Sequence, residues 1–192
     1  MRFPMRFKSI AVAVITLLLM AGCDLLPLPA DKSSTPPIQT TAPGSQIQWS
    51  FYVVRHAERA DDGSEDPPLT AEGQQRAQRL AQMLGNAHGV AVYATQFQRT
   101  QSTARQTAQV WGVPVTTYDG QSDAASLTQS IKGAHPEGTI LIVGHSDTVP
   151  DIVADLCNCD VDPIDDSDFG NLFHVDIGRD GSVIKAEQNP SY

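Results

Sequence analysis

Three features of the sequence predict an α/β fold: a three-layer α/β/α sandwich around a mostly parallel central sheet with an antiparallel edge. Short apolar runs, Phe51–Val54, Val90–Ala94 and Thr139–Val143, carry too few polar residues to be half-exposed strands, so they belong inside a sheet covered on both faces. Helix-spaced stretches lie between them, and strand alternating with helix implies parallel pairing. Near the end, Leu172–Ile177 and Val183–Ala186 flank the turn Asp180-Gly181, which reads as a hairpin and supplies the antiparallel edge.

Taken in order, the first 22 residues read as an address. Arg2, Arg6 and Lys8 precede an apolar run, Ile10 to Met20, broken only by Thr16 and too short for a comfortable membrane span. The run closes on Leu19-Met20-Ala21-Gly22-Cys23, which resembles a bacterial lipobox and implies a lipid on Cys23. Asp24 resembles a signal for retention in the inner membrane, so the chain is expected in the cell envelope, facing the periplasm or exterior. Residues 23–48 are rich in Pro, Ser, Thr and Gln and read as a tether; residues 49–192 suit one compact domain. Without the first 22 residues, Lys+Arg falls from 13 to 10 against 22 Asp+Glu, a net charge of −12. Such a balance argues against nucleic acid as a partner and confines any anion site to a local cationic pocket.

The domain opens with the strand that ends at Val54, followed by Arg55-His56-Ala57-Glu58-Arg59. Pro67-Pro68 bars helix in the acidic loop that comes next. Thr70 can cap a helix whose buried stripe is Ala77, Leu80, Ala81 and Leu84 and which Gly85 should stop. A helix from Arg99 to Trp111 closes at Gly112, Val113–Tyr118 is a strand, and Ser122–Lys132 is a helix bearing Leu127 and Ile131. Thr148–Leu156 is the last helix, with Pro150 tolerated in its first turn.

Ligands in open α/β sheets bind beyond the carboxyl ends of the strands. Three of these strands end on chemistry: Arg55-His56, then Thr95-Gln96-Phe97-Gln98-Arg99 at a helix start, then Gly144-His145-Ser146. Arginine offers a planar fork to phosphate oxygens, and neutral imidazole is a nucleophile.

With these segments in hand, the chain resembles the histidine phosphatase superfamily, the phosphoglycerate-mutase-like fold. Arg55-His56-Ala57 stands for its Arg-His-Gly motif, Tyr93 to Arg99 for its second, and Gly144-His145-Ser146 for its third. The resemblance implies that His56 attacks phosphorus and carries a phosphohistidine that water hydrolyses, while Arg55, Arg99 and His145 hold the phosphoryl oxygens. It implies neither metal nor cofactor. Partners would be a phosphorylated small molecule, an envelope sugar phosphate or a phosphoprotein. Arg59, Glu58 and Ser146 are further candidates for substrate contact, and Arg59 could equally pair with Asp61 or Asp62. For the proton donor, the sequence leaves Glu58, Asp119, Asp123 and Asp147 open. His56 should have its tautomer fixed by a backbone carbonyl.

Only 46 positions separate Arg99 from His145, too few for a capping domain, which favours a phosphatase over a mutase. A lipoprotein that binds phosphorylated ligands without catalysis is the alternative. His88 and His135 read as surface residues, His174 as a packing residue, and Cys157 and Cys159 as loop cysteines of open redox state. The acidic run Asp160, Asp162, Asp165, Asp166 and Asp168 lacks an EF-hand's glycine and distal glutamate, so it reads as a solvated loop.

Overall fold

The computed structural model describes residues 46–189 and Tyr192. The signal segment, Cys23, Asp24 and nearly all of the tether lie outside the described residues. Six strands form one sheet: β1 (Ile47–Arg55), β2 (Ala91–Thr95), β3 (Val115–Tyr118), β4 (Gly138–Gly144), β5 (Leu172–Gly178) and β6 (Val183–Asn189), in the order β3-β2-β4-β1-β5-β6. β1, β4, β2 and β3 pair in parallel, while β5 runs antiparallel to β1 and β6 antiparallel to β5. The sheet is therefore mostly parallel with an antiparallel edge, as the sequence predicts.

Helices α1 (Ala71–Met83), α2 (Gln98–Trp111), α3 (Ala124–Ala134) and α4 (Val149–Cys157) complete the domain. Alternation along the strands splits the core in two. Phe51, Val53, Ile140 and Ile142 pack against Leu127 and Ile131 of α3 and Ile152 and Leu156 of α4. Val54, Val92, Leu141 and Val143 pack on the other face against Leu80 of α1 and Ala104 and Ala108 of α2. Both faces of the central strands are thus dry, which is why their sequences show no polar alternation.

Several local expectations need correction. α1 ends at Met83 with Leu84 as its cap, so the helix stops at Gly85 as expected, but the chain continues as a 3-10 turn over Gly85–Ala87 and only His88 takes the left-handed conformation, at φ 49°. His135 is half-buried rather than superficial, its Nε2 2.9 Å from Tyr93 Oη and its carbonyl accepting from Trp49 Nε1 at 2.7 Å. Cys157 and Cys159 are joined as a disulfide across a single residue, Asn158, which adopts φ 49°. Thr70 caps α1 as expected, accepting from the Gly73 amide at 3.0 Å. His174 packs within the sheet, stacked on Tyr52 at 4.3 Å between ring centroids.

Candidate functional site

The site follows from strand register. Val54 of β1, Val143 of β4 and Ala94 of β2 lie side by side, so the chain leaves all three strands at one level. The His56 amide donates to the Gly144 carbonyl at 2.9 Å and extends the pairing one step past the strands. Arg55, His56, Arg99 and His145 consequently line one cavity of about 480 Å³, together with Arg59, Ser146, Asp147 and Asp166.

His56 is buried at 3 % exposure, its ring centroid 5.4 Å from that of His145. Its Nδ1 lies 2.8 Å from the Ala57 carbonyl oxygen. A carbonyl can only accept, so Nδ1 carries the proton and Nε2 keeps its lone pair. The Ala57 amide in turn donates to Thr103 Oγ1 at 3.0 Å, which ties the loop to α2. Burial, reinforced by His145, Arg55 and Arg99, presses the His56 pKa down to about 3 although the Ala57 bond works the other way. His145 is pressed down to about 4, first by burial and then by Arg99. Both imidazoles are neutral at physiological pH.

Arg55 is 4 % exposed and held by main chain: its Nη1 donates to the carbonyls of Asp165 at 2.9 Å and Asp168 at 3.1 Å. The Arg55 guanidinium sits over the Phe169 ring, 4.3 Å from Cζ to the ring centroid. Phe97 covers Arg99 at the same distance. Arg99 Nη1 stands 3.6 Å from Asp66 Oδ1, beyond hydrogen-bond reach. Arg55 Nε, Arg99 Nε and Arg99 Nη1 are buried and meet no acceptor among the described residues. Buried donors without partners are costly, and an oxyanion placed between the guanidiniums would satisfy them.

The candidate acids separate cleanly. Glu58 turns away from the cavity and is gripped by Arg76, whose Nε lies 2.8 and 3.0 Å from its two oxygens, holding the carboxyl below its usual range despite partial burial. Asp119 accepts from the Gln121 amide at 3.0 Å in a turn, and Asp123 caps α3 by accepting from the Ser126 amide at 2.9 Å. Only Asp147 of the four lines the cavity. Arg59 lines it too, and no ion pair joins it to Asp61 or Asp62 among the described residues. Sequence reasoning missed Asp166, which accepts from Ser146 Oγ at 2.6 Å and lies 3.4 Å from Arg55 Nη2. It belonged to the run read as a solvated loop. The one available signal was that a buried arginine needs acceptors. Among the described residues, no three His, Cys, Asp or Glu side chains group as metal ligands.

The two neutral histidines give the fold a measurable acid sensitivity. Between pH 6.5 and about 5 the unfolded chain takes up protons at His56 and His145 that the folded chain refuses, so stability falls as pH falls. The slope approaches about 1.4 kcal/mol per pH unit for each histidine. Urea midpoints across this range, compared with those of the His145→Gln protein, check it: the variant should show the shallower decline.

Residues 51–125 match the model of the histidine phosphatase superfamily, branch 1. A probable phosphoglycerate mutase GpmB from Enterobacter sp. (strain 638) is 40 % identical over 73 residues, a stretch that covers 33 % of this chain and 33 % of that protein. The match thus spans about a third of the length of that curated relative. Among solved structures, the protein histidine phosphatase SixA complexed with tungstate superposes with a TM-score of 0.60 at 19 % identity, covering 73 % of this chain and 96 % of that one. Bacillus stearothermophilus YhfR gives 0.61 at 18 % identity, over 75 % and 98 %. Mycobacterial glucosyl-3-phosphoglycerate phosphatase gives 0.60 at 12 % identity, over 76 % and 99 %.

Proposed function

We propose that the chain, whose residues 51–125 match the histidine phosphatase superfamily model, is a phosphatase of that superfamily which hydrolyses a phosphate monoester or phosphoprotein through a covalent phosphohistidine on His56. One observation carries the reading. A neutral imidazole with a free Nε2 stands among two guanidiniums whose buried donors have no partner.

Nε2 of His56 attacks phosphorus in line, and the alcohol or amine leaves with the P–O or P–N electron pair. Arg55, Arg99 and His145 hold the three non-bridging oxygens and offset the charge as it spreads over them. Their positions are set by strand ends and aromatic packing, so little reorganisation is needed at the moment of reaction. Water then attacks the phosphohistidine from the open side of the cavity and returns the imidazole to its neutral form. Asp147 is the donor to the leaving group in this scheme, because the other three candidate carboxylates are engaged elsewhere and Asp166 already accepts from Ser146. Converting Asp147 to Asn should slow hydrolysis of alkyl monoesters by about 10²-fold or more while barely affecting aryl esters, whose leaving groups need no proton. A plot of rate against leaving-group pKa for the two proteins checks this. An equal loss on both ester classes would remove Asp147 from the role.

As part of the same proposal, Cys23 carries a lipid and residues 23–48 tether the domain in the bacterial cell envelope, facing the periplasm or exterior, a reading supported by the lipobox-like Leu19–Cys23 segment. The test is phosphate release by the soluble domain from a panel of phosphomonoesters, sugar phosphates and phosphopeptides between pH 5 and 8. Release from none would overturn the proposal in favour of a binding protein, and transfer of phosphate within one substrate would identify a mutase.

A further inference from the structure

Thr95 closes β2 and Thr100 lies in the first turn of α2; both side chains are fully buried. Thr95 Oγ1 sits 2.9 Å from His145 Nε2 and 2.8 Å from Thr100 Oγ1. Thr100 Oγ1 in turn lies 2.8 Å from the Phe97 carbonyl and 3.0 Å from that of Thr95. Carbonyls only accept, so the line of hydroxyls has an acceptor at its far end. In one sense, His145 Nε2–H donates to Thr95, Thr95 to Thr100, and Thr100 to a carbonyl, and three hydrogens make three bonds. In the reverse sense Thr100 donates to Thr95 and Thr95 to Nε2. Two bonds form, and the third hydrogen sits on Nδ1, which has no protein partner among the described residues. A buried chain that satisfies more of its donors is the more stable one.

From this geometry we infer that Thr95 is a positioning residue that keeps the proton of free His145 on Nε2, so that the cavity takes up a phosphoryl group together with one proton on Nδ1. The inference rests on the phosphate-site reading above. With Nε2 committed to Thr95, Nδ1 is the nitrogen left to meet a ligand oxygen, and two lone pairs would repel there until a proton joins them. A phosphate monoanion supplies that proton from its own O–H. A dianion draws one from solvent, and the only bond made is N–H. The groups facing His145 set when this happens. Arg99 and Arg55 oppose its protonation, His56 is neutral beside it, Phe97 packs on its ring edge-on, and Asp147 favours the charged form. An anion bound between the two guanidiniums cancels their opposition and lets His145 become imidazolium.

Two measurements on the full chain test this, with inorganic phosphate as the probe at pH 8. Long-range ¹⁵N–¹H spectra of histidine-labelled protein, with the His145 signals identified by their loss in His145→Gln, should show a neutral ring protonated at Nε2. Addition of phosphate should protonate both nitrogens. Calorimetry in buffers of different ionisation heat should show uptake of about one proton per phosphate bound. Thr95→Val should give a mixed tautomer in the free protein, and Thr95→Ser should restore the Nε2–H form, which a purely structural role for the methyl group would not do. Free His145 protonated at Nδ1, or His145 still neutral with phosphate bound, would overturn the inference. Absence of phosphate binding would instead overturn the site reading, and the spectra of the free protein would still decide the role of Thr95.

Discussion

His56→Ala is expected to lower phosphate release by about 10⁴-fold or more, the scale seen when an enzyme loses its nucleophile. The nearest groups have other tasks in this scheme. His145 bonds Thr95 through Nε2 and holds a phosphoryl oxygen through Nδ1, and Ser146, the hydroxyl of the third motif, donates to Asp166. The two arginines remain, so the variant should still bind inorganic phosphate within a few-fold of the parent protein. Acid-labile phosphate bound to protein during turnover should vanish with the ring. A steady-state assay with a fast aryl phosphate and a competition assay with orthophosphate separate the two effects. Release within about tenfold of the parent would show that another group attacks phosphorus.

Arg99→Ala carries the second large effect, a loss of about 10²–10³-fold in the rate of phosphate release, the scale for one donor to a developing oxyanion. Its stability consequence should be small. Arg99 Nε and Nη1 make no hydrogen bond to the described residues, and the nearest carboxylate, Asp66, stays 3.6 Å away. Alanine therefore removes little beyond the packing on Phe97 and should leave thermal stability within about 1 kcal/mol while activity collapses. Arg55→Ala makes the contrast. Its Nη1 ties down the main chain of the 165–168 loop, so removing it should cost stability as well as rate. Paired melting curves and kinetics of the two variants check this difference. A destabilised Arg99→Ala protein would mean that the guanidinium has a structural task.

Much of this was legible in the letters. Runs such as Ile140 to Val143 can only be strands with two dry faces, and three such runs ending on Arg55-His56, Thr95 to Arg99 and Gly144-His145 name one edge of one sheet. The backbone carbonyl that fixes the His56 tautomer was expected from chemistry alone, and the Ala57 oxygen is in place. The rest depends on long-range packing that carries no periodic signal. Phe97 and Phe169 look alike as loop aromatics, yet each sits under a different arginine. Glu58 follows the nucleophile directly, but its side chain points towards α1, where Arg76 waits 18 positions away. Asp166 was hidden among look-alike aspartates, because nothing local distinguishes the one that leans over Arg55. The Cys157–Cys159 disulfide was obscured for a similar reason: it spans Asn158, the left-handed cap of α4 at φ 49°, a conformation that sequence spacing does not announce.

The grip on Arg55 is made by the peptide oxygens of residues 165 and 168, not by their carboxylates. Every amino acid owns such an oxygen. Mutational drift can therefore rewrite those two letters while the grip persists, provided that the loop keeps its path. What evolution must preserve there is a trajectory, and a trajectory leaves little trace for any method that compares residues one by one.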